Sequence, residues 1–502
     1  MLVLLLVTLA VAPPPSLAQR LEAVMHRPEY ASARWGVLVV RAEDGQIVYA
    51  HKADQLFAPA SVTKLYSCAA AFVNLGPEKC HETKLYLRGD DLILVPGGDL
   101  TLGGRTLPDR RYVFADNDHT YADSTTSATQ LVPTSPLAGL EALVAQVDLK
   151  ELPGEVLIDD RLFEPGLGSG SGPKRVTPIV VNDNLVDVVV RPGGKVGDPA
   201  TFTLVPETSY IHADVQVRTV GAKEAGVIRV EAIDAQSFAV RGTIPLGSKP
   251  RVQVFAVGEP ARFARALLID TLRRKGILVE VSSLAAPKAT LPQPDWYARP
   301  EVKPLASYSS GPLRETLKVT LKVSHNLYAS TLPLLLRVEG KAAPRTIPAG
   351  MRLQGEILRK LGVEVDRISL ETGAGGGDGD RVSPRVTVQL LQKLYARPDW
   401  ATFEALLPRL GVDGTLAEVV PPNSPARDRF FAKTGTYTDS DYQSGRSHLR
   451  AKSLAGIGTT AQGTKVLFCF FVNDVPLPKG VTSRREGRVL GHLCELLYRY
   501  GP

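Results

Sequence analysis

"FAPASVTKLYSCAAAFVNLG", residues 57–76, puts Ser61 three positions before Lys64 at what reads as the start of an apolar helix. Leu65, Ala69, Phe72 and Val73 recur at helical intervals, Ser61 stands as a possible N-cap after Pro59-Ala60, and Gly76-Pro77 marks the end. Positions i and i+3 of a helix share a face, about 5–6 Å apart at Cβ, so a serine hydroxyl would meet an amine there. A lysine that is partly desolvated and near another cation loses its proton near neutral pH and acts as a base. The same spacing recurs at Ser171-Gly172-Pro173-Lys174, inside a Gly/Pro loop where no helix sets the geometry. Ser-x-x-Lys alone is therefore a weak signal, and the rest of the chain has to decide it.

Upstream, "RWGVLVVRAEDGQIVYAHK" (residues 34–52) reads as two strands joined by an Asp44-Gly45 turn. Before it, "RLEAVMHR" suggests a short helix. The beginning, "MLVLLLVTLAVAPPPSLAQR", has an apolar run from Leu2 to Ala12, a proline break and Ser16-Leu17-Ala18, the pattern of a secretory signal removed after Ala18. The run is too short for a membrane span of about 20 residues, and no later segment approaches that length.

Downstream, from about residue 81 to 300, short β-rich runs alternate with Gly and Pro. Helical patterns appear there only around residues 137–147 and 260–275, the texture of one or two inserted domains. The last third returns to helical patterns, including "LRETLKVTLKVSHNLYASTLPLLLRV". It closes with the strand-like "RFFAKTGTYT", "SLAGIGTT" and "KVLFCFFVND" and a final helix striped by Val489, Leu490, Leu493 and Leu497. That stripe suits packing on a sheet, with a membrane-surface helix as the alternative.

The 502 residues provide for two to four domains, and 44% hydrophobic with 22% charged residues marks a soluble globular chain. The net charge of +7 arises from 59 basic and 52 acidic residues that are interspersed. That describes a mildly basic enzyme surface, suited to an anionic polymer rather than to nucleic acid. Of the four cysteines, Cys68 and Cys469 sit in apolar runs as small hydrophobes, although export would permit disulfides. The chain has no CxxC, HxH or HExxH, so neither a protein-built metal site nor a cofactor is expected. "GLGSGSGPK" (166–174) and "GAGGGDG" (373–379) read as low-complexity loops, not phosphate cradles.

Two further motifs follow Ser61 and Lys64 in chain order. Ser324-His325-Asn326 lies in a helical, apolar context and offers a proton relay and an amide-holding side chain. Lys433-Thr434-Gly435 opens an apparent strand, offering a cation and a hydroxyl to a carboxylate, with Gly435 admitting a substrate backbone. The order SxxK, SxN, KTG is that of serine β-lactamases and penicillin-binding proteins, with His325 where the second motif has Asp.

The chain resembles the class C low-molecular-mass penicillin-binding proteins, the D-alanyl-D-alanine carboxypeptidase/endopeptidase family of the penicillin-binding protein four type. The likeness extends over nearly the whole mature chain through "FAPASVTK", "PGGDLTL" (96–102), "LIDDRLF" (157–163), "VNDNLVDV", "RVSP" (381–384), "GVDGTL" (411–416), "SLAG" (453–456) and "FVN". The family carries a long insertion between its first two motifs, and 259 residues separate Lys64 from Ser324 here against 106 between Asn326 and Lys433. The resemblance implies an α+β fold: a DD-peptidase-like domain with an antiparallel sheet flanked by helices, from residues 19–82 and 301–502, interrupted by mixed and β-rich domains at 83–300.

It also implies that Ser61 is the acylated nucleophile, Lys64 its base and Ser324 with Asn326 the relay and amide-holding pair. Lys433 and Thr434 would bind the terminal carboxylate, and the N–H groups of Ser61 and Thr436 would form the oxyanion hole. The implied substrates are peptidoglycan stem peptides ending in D-Ala-D-Ala and D-Ala-linked cross-bridges, with β-lactams as covalent inhibitors, in an exported, periplasmic setting. A same-fold β-lactamase or esterase and a catalytically silent cell-wall-binding protein are the alternatives. Three departures stand out: His325, the glycine-rich "ETGAGGGDGDRVSP" (371–384) and "YTDSDYQSGRSHLRAK" (437–452), read as an added polar loop beside the site.

Overall fold

The computed structural model describes residues 14–122, 129–341 and 343–502. The apolar run Leu2 to Ala12 lies outside them. The first helix, α1 (Leu17–Met25), starts three residues earlier than its apolar pattern suggests, because Ser16 and Gln19 form a reciprocal capping box. The expected cleavage point after Ala18 falls within its first turn.

A five-stranded sheet organises the chain's two ends. It is built from β1 (Arg34–Arg41), β2 (Ile47–His51), β3 (Phe430–Asp441), β4 (Arg446–Thr459) and β5 (Lys465–Pro476), in the order β3-β4-β5-β1-β2 with all neighbours antiparallel. The apolar run of β5 is continuous because both faces of this central strand are covered. Leu467, Cys469 and Phe471 join Leu38 and Val40 of β1 against a helical layer. Val466, Phe468 and Phe470 join Val37 and Val39 on the opposite face, against α1 and the last helix.

The helical layer is centred on α2 (Thr63–Leu75), buried on every side from Thr63 to Phe72. Around it pack α3 (Leu313–Lys322), α4 (Asn326–Glu339) and α5 (Ile347–Lys360), while α6 (Pro384–Tyr395) lies on the sheet. The last helix, α7 (Arg484–Tyr500), buries Leu490, Leu493 and Leu497 against β4 and α1. Its apolar stripe is thus used in packing. No helix among the described residues is long and apolar enough to cross a membrane.

Between β2-α2 and α3 the chain builds a separate apolar core that gathers residues from Leu85 to Ala306. Strand Ala306–Ser309 pairs with Glu82–Arg88, so the segments entering and leaving this region run side by side. Two three-stranded sheets lie beyond, centred on Leu185–Arg191 and Ser237–Pro245, with helices Ala138–Ala145 and Pro260–Arg274. Residues 437–452, expected to form a loop, instead continue β3 and β4 as a long hairpin turning at 441–446. Tyr437 and Arg450 on this hairpin reach Asp378 of the glycine-rich segment at 3.3 and 3.0 Å.

Candidate active site

Ser61 does not cap its helix. It lies in a 3₁₀ turn, Ala60–Val62, just ahead of α2 and makes no capping hydrogen bond. Ala60 has a left-handed backbone, φ 47°. The tighter turn brings Ser61 Oγ to 2.7 Å from Lys64 Nζ. Lys64 is fully buried and also donates to Asn326 Oδ1 at 2.7 Å and to the carbonyl of Ala374 at 2.8 Å. Burial pushes its amine down to about 7, although Cys68 and Asp380 act in the opposite sense. A neutral amine has two N–H groups, which satisfy Asn326 and Ala374, and one lone pair, which is left for the Ser61 hydroxyl.

The turn that carries Ser61 is held from the sheet. Asn473 of β5 clasps Ala58, accepting its N–H at 2.8 Å and donating to its carbonyl at 3.2 Å. Ser453 of β4 donates to the Pro59 carbonyl at 2.7 Å. A β-carbon on Gly435 would stand 2.1 Å from Ser453 Oγ, 2.5 Å from the Pro59 carbonyl and 3.0 Å from Ser61 N. The close approach that glycine permits here is therefore between β3 and the protein's own Pro59-Ser61 turn, whereas the sequence pointed to the substrate backbone.

Ser324-His325-Asn326 does not lie inside one helix. It forms the break between α3 and α4, with Ser324 left-handed at φ 65° and His325 extended as the cap of α4. A continuous helix would turn Ser324 and Asn326 about 200° apart; the break lets both line one cavity. Asn326 Nδ2 donates to the Ser171 carbonyl at 2.9 Å. The loop that carries the misleading Ser171-x-x-Lys174 spacing thus forms part of the site, as a backbone acceptor that orients Asn326. The glycine-rich segment packs between this loop and the turn of Ser61. A β-carbon on Gly375 would meet the Ala60 carbonyl at 1.9 Å, and one on Gly376 the backbone N of Gly170 at 2.5 Å. Asp380 ties the segment, accepting from the N–H groups of Glu371 at 2.7 Å and Gly377 at 3.0 Å.

These groups surround a cavity of about 830 Å³ lined by Ser61, Ser324, Asn326, Thr434 and Thr436. Lys433 lies behind its wall, fully buried, with Nζ donating to the Thr434 carbonyl at 2.8 Å. Burial, reinforced by Lys64, holds that amine well below its ordinary range. The cation on the cavity wall beside the KTG is Lys452, opposite Thr436 in the β3-β4 register and 2.8 Å from Thr436 Oγ1. Nothing in the sequence pattern singles out Lys452, because the register across a hairpin is not written in either strand. Thr415, from "GVDGTL", meets Thr434 Oγ1 at 2.7 Å. β3 is an edge strand of the sheet; its first residues bond to residues 408–410, and beyond them no further strand pairs with it among the described residues.

A buried charged cluster adjoins the break. Asp118, Asp183 and His325 offer three ligand atoms within 4.8 Å of one another. The Arg105 guanidinium bridges the two carboxylates, 2.8 Å from Asp118 and 2.6 Å from Asp183. Burial pushes Asp118 up, but Arg105, with His119, outweighs it and leaves the carboxyl at about 2.

A family model described as the D-Ala-D-Ala carboxypeptidase 3 (S13) family matches residues 17–490. The D-alanyl-D-alanine carboxypeptidase of Actinomadura sp. (strain R39) is 27% identical over 451 residues, 86% of this chain and 78% of that protein. D-alanyl-D-alanine carboxypeptidase DacB of Haemophilus influenzae is 27% identical over 275 residues, 54% of this chain and 52% of the relative. The crystal structure of penicillin binding protein 4 from Haemophilus influenzae superposes with a TM-score of 0.66 at 22% identity, covering 95% of this chain and 99% of that one. The helix-flanked antiparallel sheet with its long insertion is the fold these two chains share.

Proposed function

The chain belongs to the D-Ala-D-Ala carboxypeptidase 3 (S13) family, and we propose from that membership and from the site's geometry that Ser61 is the nucleophile of a serine DD-peptidase acting on peptidoglycan stem peptides. One observation carries the residue assignment: buried Lys64, its amine near 7, with two of its three neighbours being acceptors and the third the Ser61 hydroxyl.

In this reading Lys64 Nζ takes the Ser61 proton as Oγ attacks the carbonyl carbon of the penultimate D-alanine. The N–H groups of Ser61 and Thr436 receive the oxyanion, as backbone donors that need no reorganisation. The tetrahedral adduct collapses, the C–N bond breaks, and the proton reaches the leaving D-alanine nitrogen through Ser324. The departing carboxylate is held by Thr434, Thr436 and Lys452, while Asn326 holds the acyl-side amide. Water then attacks the ester by the reverse route, restoring Ser61 and the proton on its oxygen. Lys433, enclosed behind the strand, supports the Thr434 backbone.

We further propose that the site cuts D-Ala-linked cross-bridges as well as releasing D-alanine, and that the apolar start directs export. The test is to incubate the purified protein with a labelled penicillin and with a pentapeptide ending in D-Ala-D-Ala, reading intact mass and free D-alanine. A lasting adduct and D-alanine release by wild type, with neither from Ser61→Ala, is the expected result. Rapid loss of the adduct would indicate a β-lactamase, and no adduct a silent wall-binding protein.

A further inference from the structure

Three consecutive residues of the inserted region, Asn182, Asp183 and Asn184, have left-handed backbones, with φ of 48°, 54° and 57°. That conformation is costly for any residue with a β-carbon and least so for Asn and Asp. The turn is held on all sides. Asn182 Nδ2 donates to the Leu185 carbonyl at 3.0 Å, to Asp187 Oδ2 at 2.9 Å and to the Val205 carbonyl at 3.2 Å, while Asn184 Oδ1 accepts from Val181 N at 3.3 Å. A strained backbone this thoroughly constrained points to the side chain it delivers.

That side chain, Asp183, is 4% exposed and meets the helix break. Its Oδ2 accepts from Arg105 Nη2 at 2.6 Å and His119 Nε2 at 2.8 Å. Its Oδ1 accepts from Tyr328 Oη and lies 3.4 Å from His325 Nε2. His325 Nδ1 accepts from Tyr328 N at 3.4 Å, capping α4, which places the ring's N–H on Nε2, whose 3.4 Å approach to Asp183 is an electrostatic contact rather than an aligned hydrogen bond. The two rings stack at 3.7 Å and neither is exposed. His119 is in turn held by Asp187 at 2.7 Å. Burial opposes its protonation, yet the two carboxylates raise it well above its ordinary value, so it stands as a cation beside Asp183.

The geometry of the break depends on this contact. Ser324, in a left-handed conformation that neither helix imposes, has its carbonyl bonded by Tyr121 Oη from the inserted region. Asn326, the first residue of α4, carries the Oδ1 that receives Lys64 Nζ. A shift of the His325-Tyr328 pair would therefore move both ends of the Ser324–Asn326 segment relative to Ser61.

We propose that Asp183 is a positioning residue for acyl transfer: through His325 and Tyr328 it fixes the break that presents Ser324 and Asn326 to Ser61 and Lys64, making the insertion part of the catalytic machinery. The proposal rests on the Ser61 acyl-enzyme reading.

The experiment compares the full chain with Asp183→Asn, Tyr328→Phe, His325→Asn and the Asp183→Asn/His325→Asn double variant. It measures the second-order rate of labelling by a fluorescent penicillin, the final stoichiometry, and kcat and KM for D-alanine release. Asp183→Asn is expected to label to full stoichiometry at least about 30-fold more slowly, with kcat falling in parallel and KM within about threefold. Tyr328→Phe should slow labelling about 3- to 10-fold, and the double variant should be no slower than its slower parent. A folded Asp183→Asn that labels within twofold of wild type overturns the proposal, as do fully additive effects in the double variant. Should Asp183→Asn fail to fold, wild-type rates in Tyr328→Phe and His325→Asn overturn it equally. Unlabelled wild type removes the acyl-enzyme reading and this inference with it, whereas labelled wild type beside unaffected variants removes this inference alone.

Discussion

Acylation of Ser61 should titrate with Lys64. Enclosure of the amine lowers it from 10.5 to about 7, which corresponds to about 5 kcal/mol against the charged form. Only the neutral amine has a lone pair for the Ser61 proton. The reactive fraction is thus about 90% at pH 8, about half at pH 7 and about 1% at pH 5. The second-order rate of labelling by a penicillin, followed by stopped flow between pH 5 and 8.5, should rise about tenfold per pH unit below 7 and level off above it. Lys64→Arg, permanently charged, should label at least about 10³-fold more slowly. The sign for stability follows from the same shift. Between about pH 7 and 10.5 the unfolded chain binds the proton that the folded chain has released, so this group's contribution to stability rises with pH across that window. A labelling rate that is flat from pH 5 to 8.5, or one still climbing through pH 8 without a bend, would refute the assignment of Lys64 as base.

Three further outcomes are expected. Gly435→Ala should reduce labelling by 100-fold or more and lower stability by about 1–3 kcal/mol, because its β-carbon would displace Ser453, Pro59 and the Ser61 turn; wild-type labelling would show that the turn has room to yield. Asn473→Leu strips both hydrogen bonds from the Ala58 backbone and should cost about 1–3 kcal/mol, a fall in Tm of about 1–3 °C in a thermal melt, with slower labelling alongside. Lys452→Gln should raise KM for a D-Ala-D-Ala peptide about 10- to 100-fold with kcat nearly unchanged. Burial places the Lys452 amine at about 8, with Glu486 opposing, so wild-type KM should climb above pH 8, and a KM unaffected by both changes would exclude Lys452 from carboxylate binding.

Much of this was legible in the chain itself. The helix after Ser61, the hairpin at Asp44-Gly45, the doubly buried run of β5 and the three motifs are local patterns, and local patterns report element type and reacting groups. The order of the motifs and the long gap before Ser324 also carried the resemblance that the family match bears out. Local pattern failed wherever the backbone breaks its own regularity for a tertiary reason. Ser61 read as a cap because Ser and Thr so often are one, but contacts from Asn473, Ser453 and Gly435 wind its turn into a 3₁₀ geometry. The stretch around Ser324 read as one helix because its apolar spacing runs through the break, and the break is held by Tyr121 and Asp183, more than 130 residues away.

Register and long-range docking explain the rest. Lys452 came to Thr436 through strand pairing, and the Ser171 loop came to Asn326 through the fold of the insertion. The sequence by itself determined the three motifs on which the proposed acyl transfer rests and most of the strands and helices around them. Tertiary structure decided the proton affinity of Lys64, because the burial that lowers it comes from packing against residues such as 326 and 374, neither of them near position 64 in the chain.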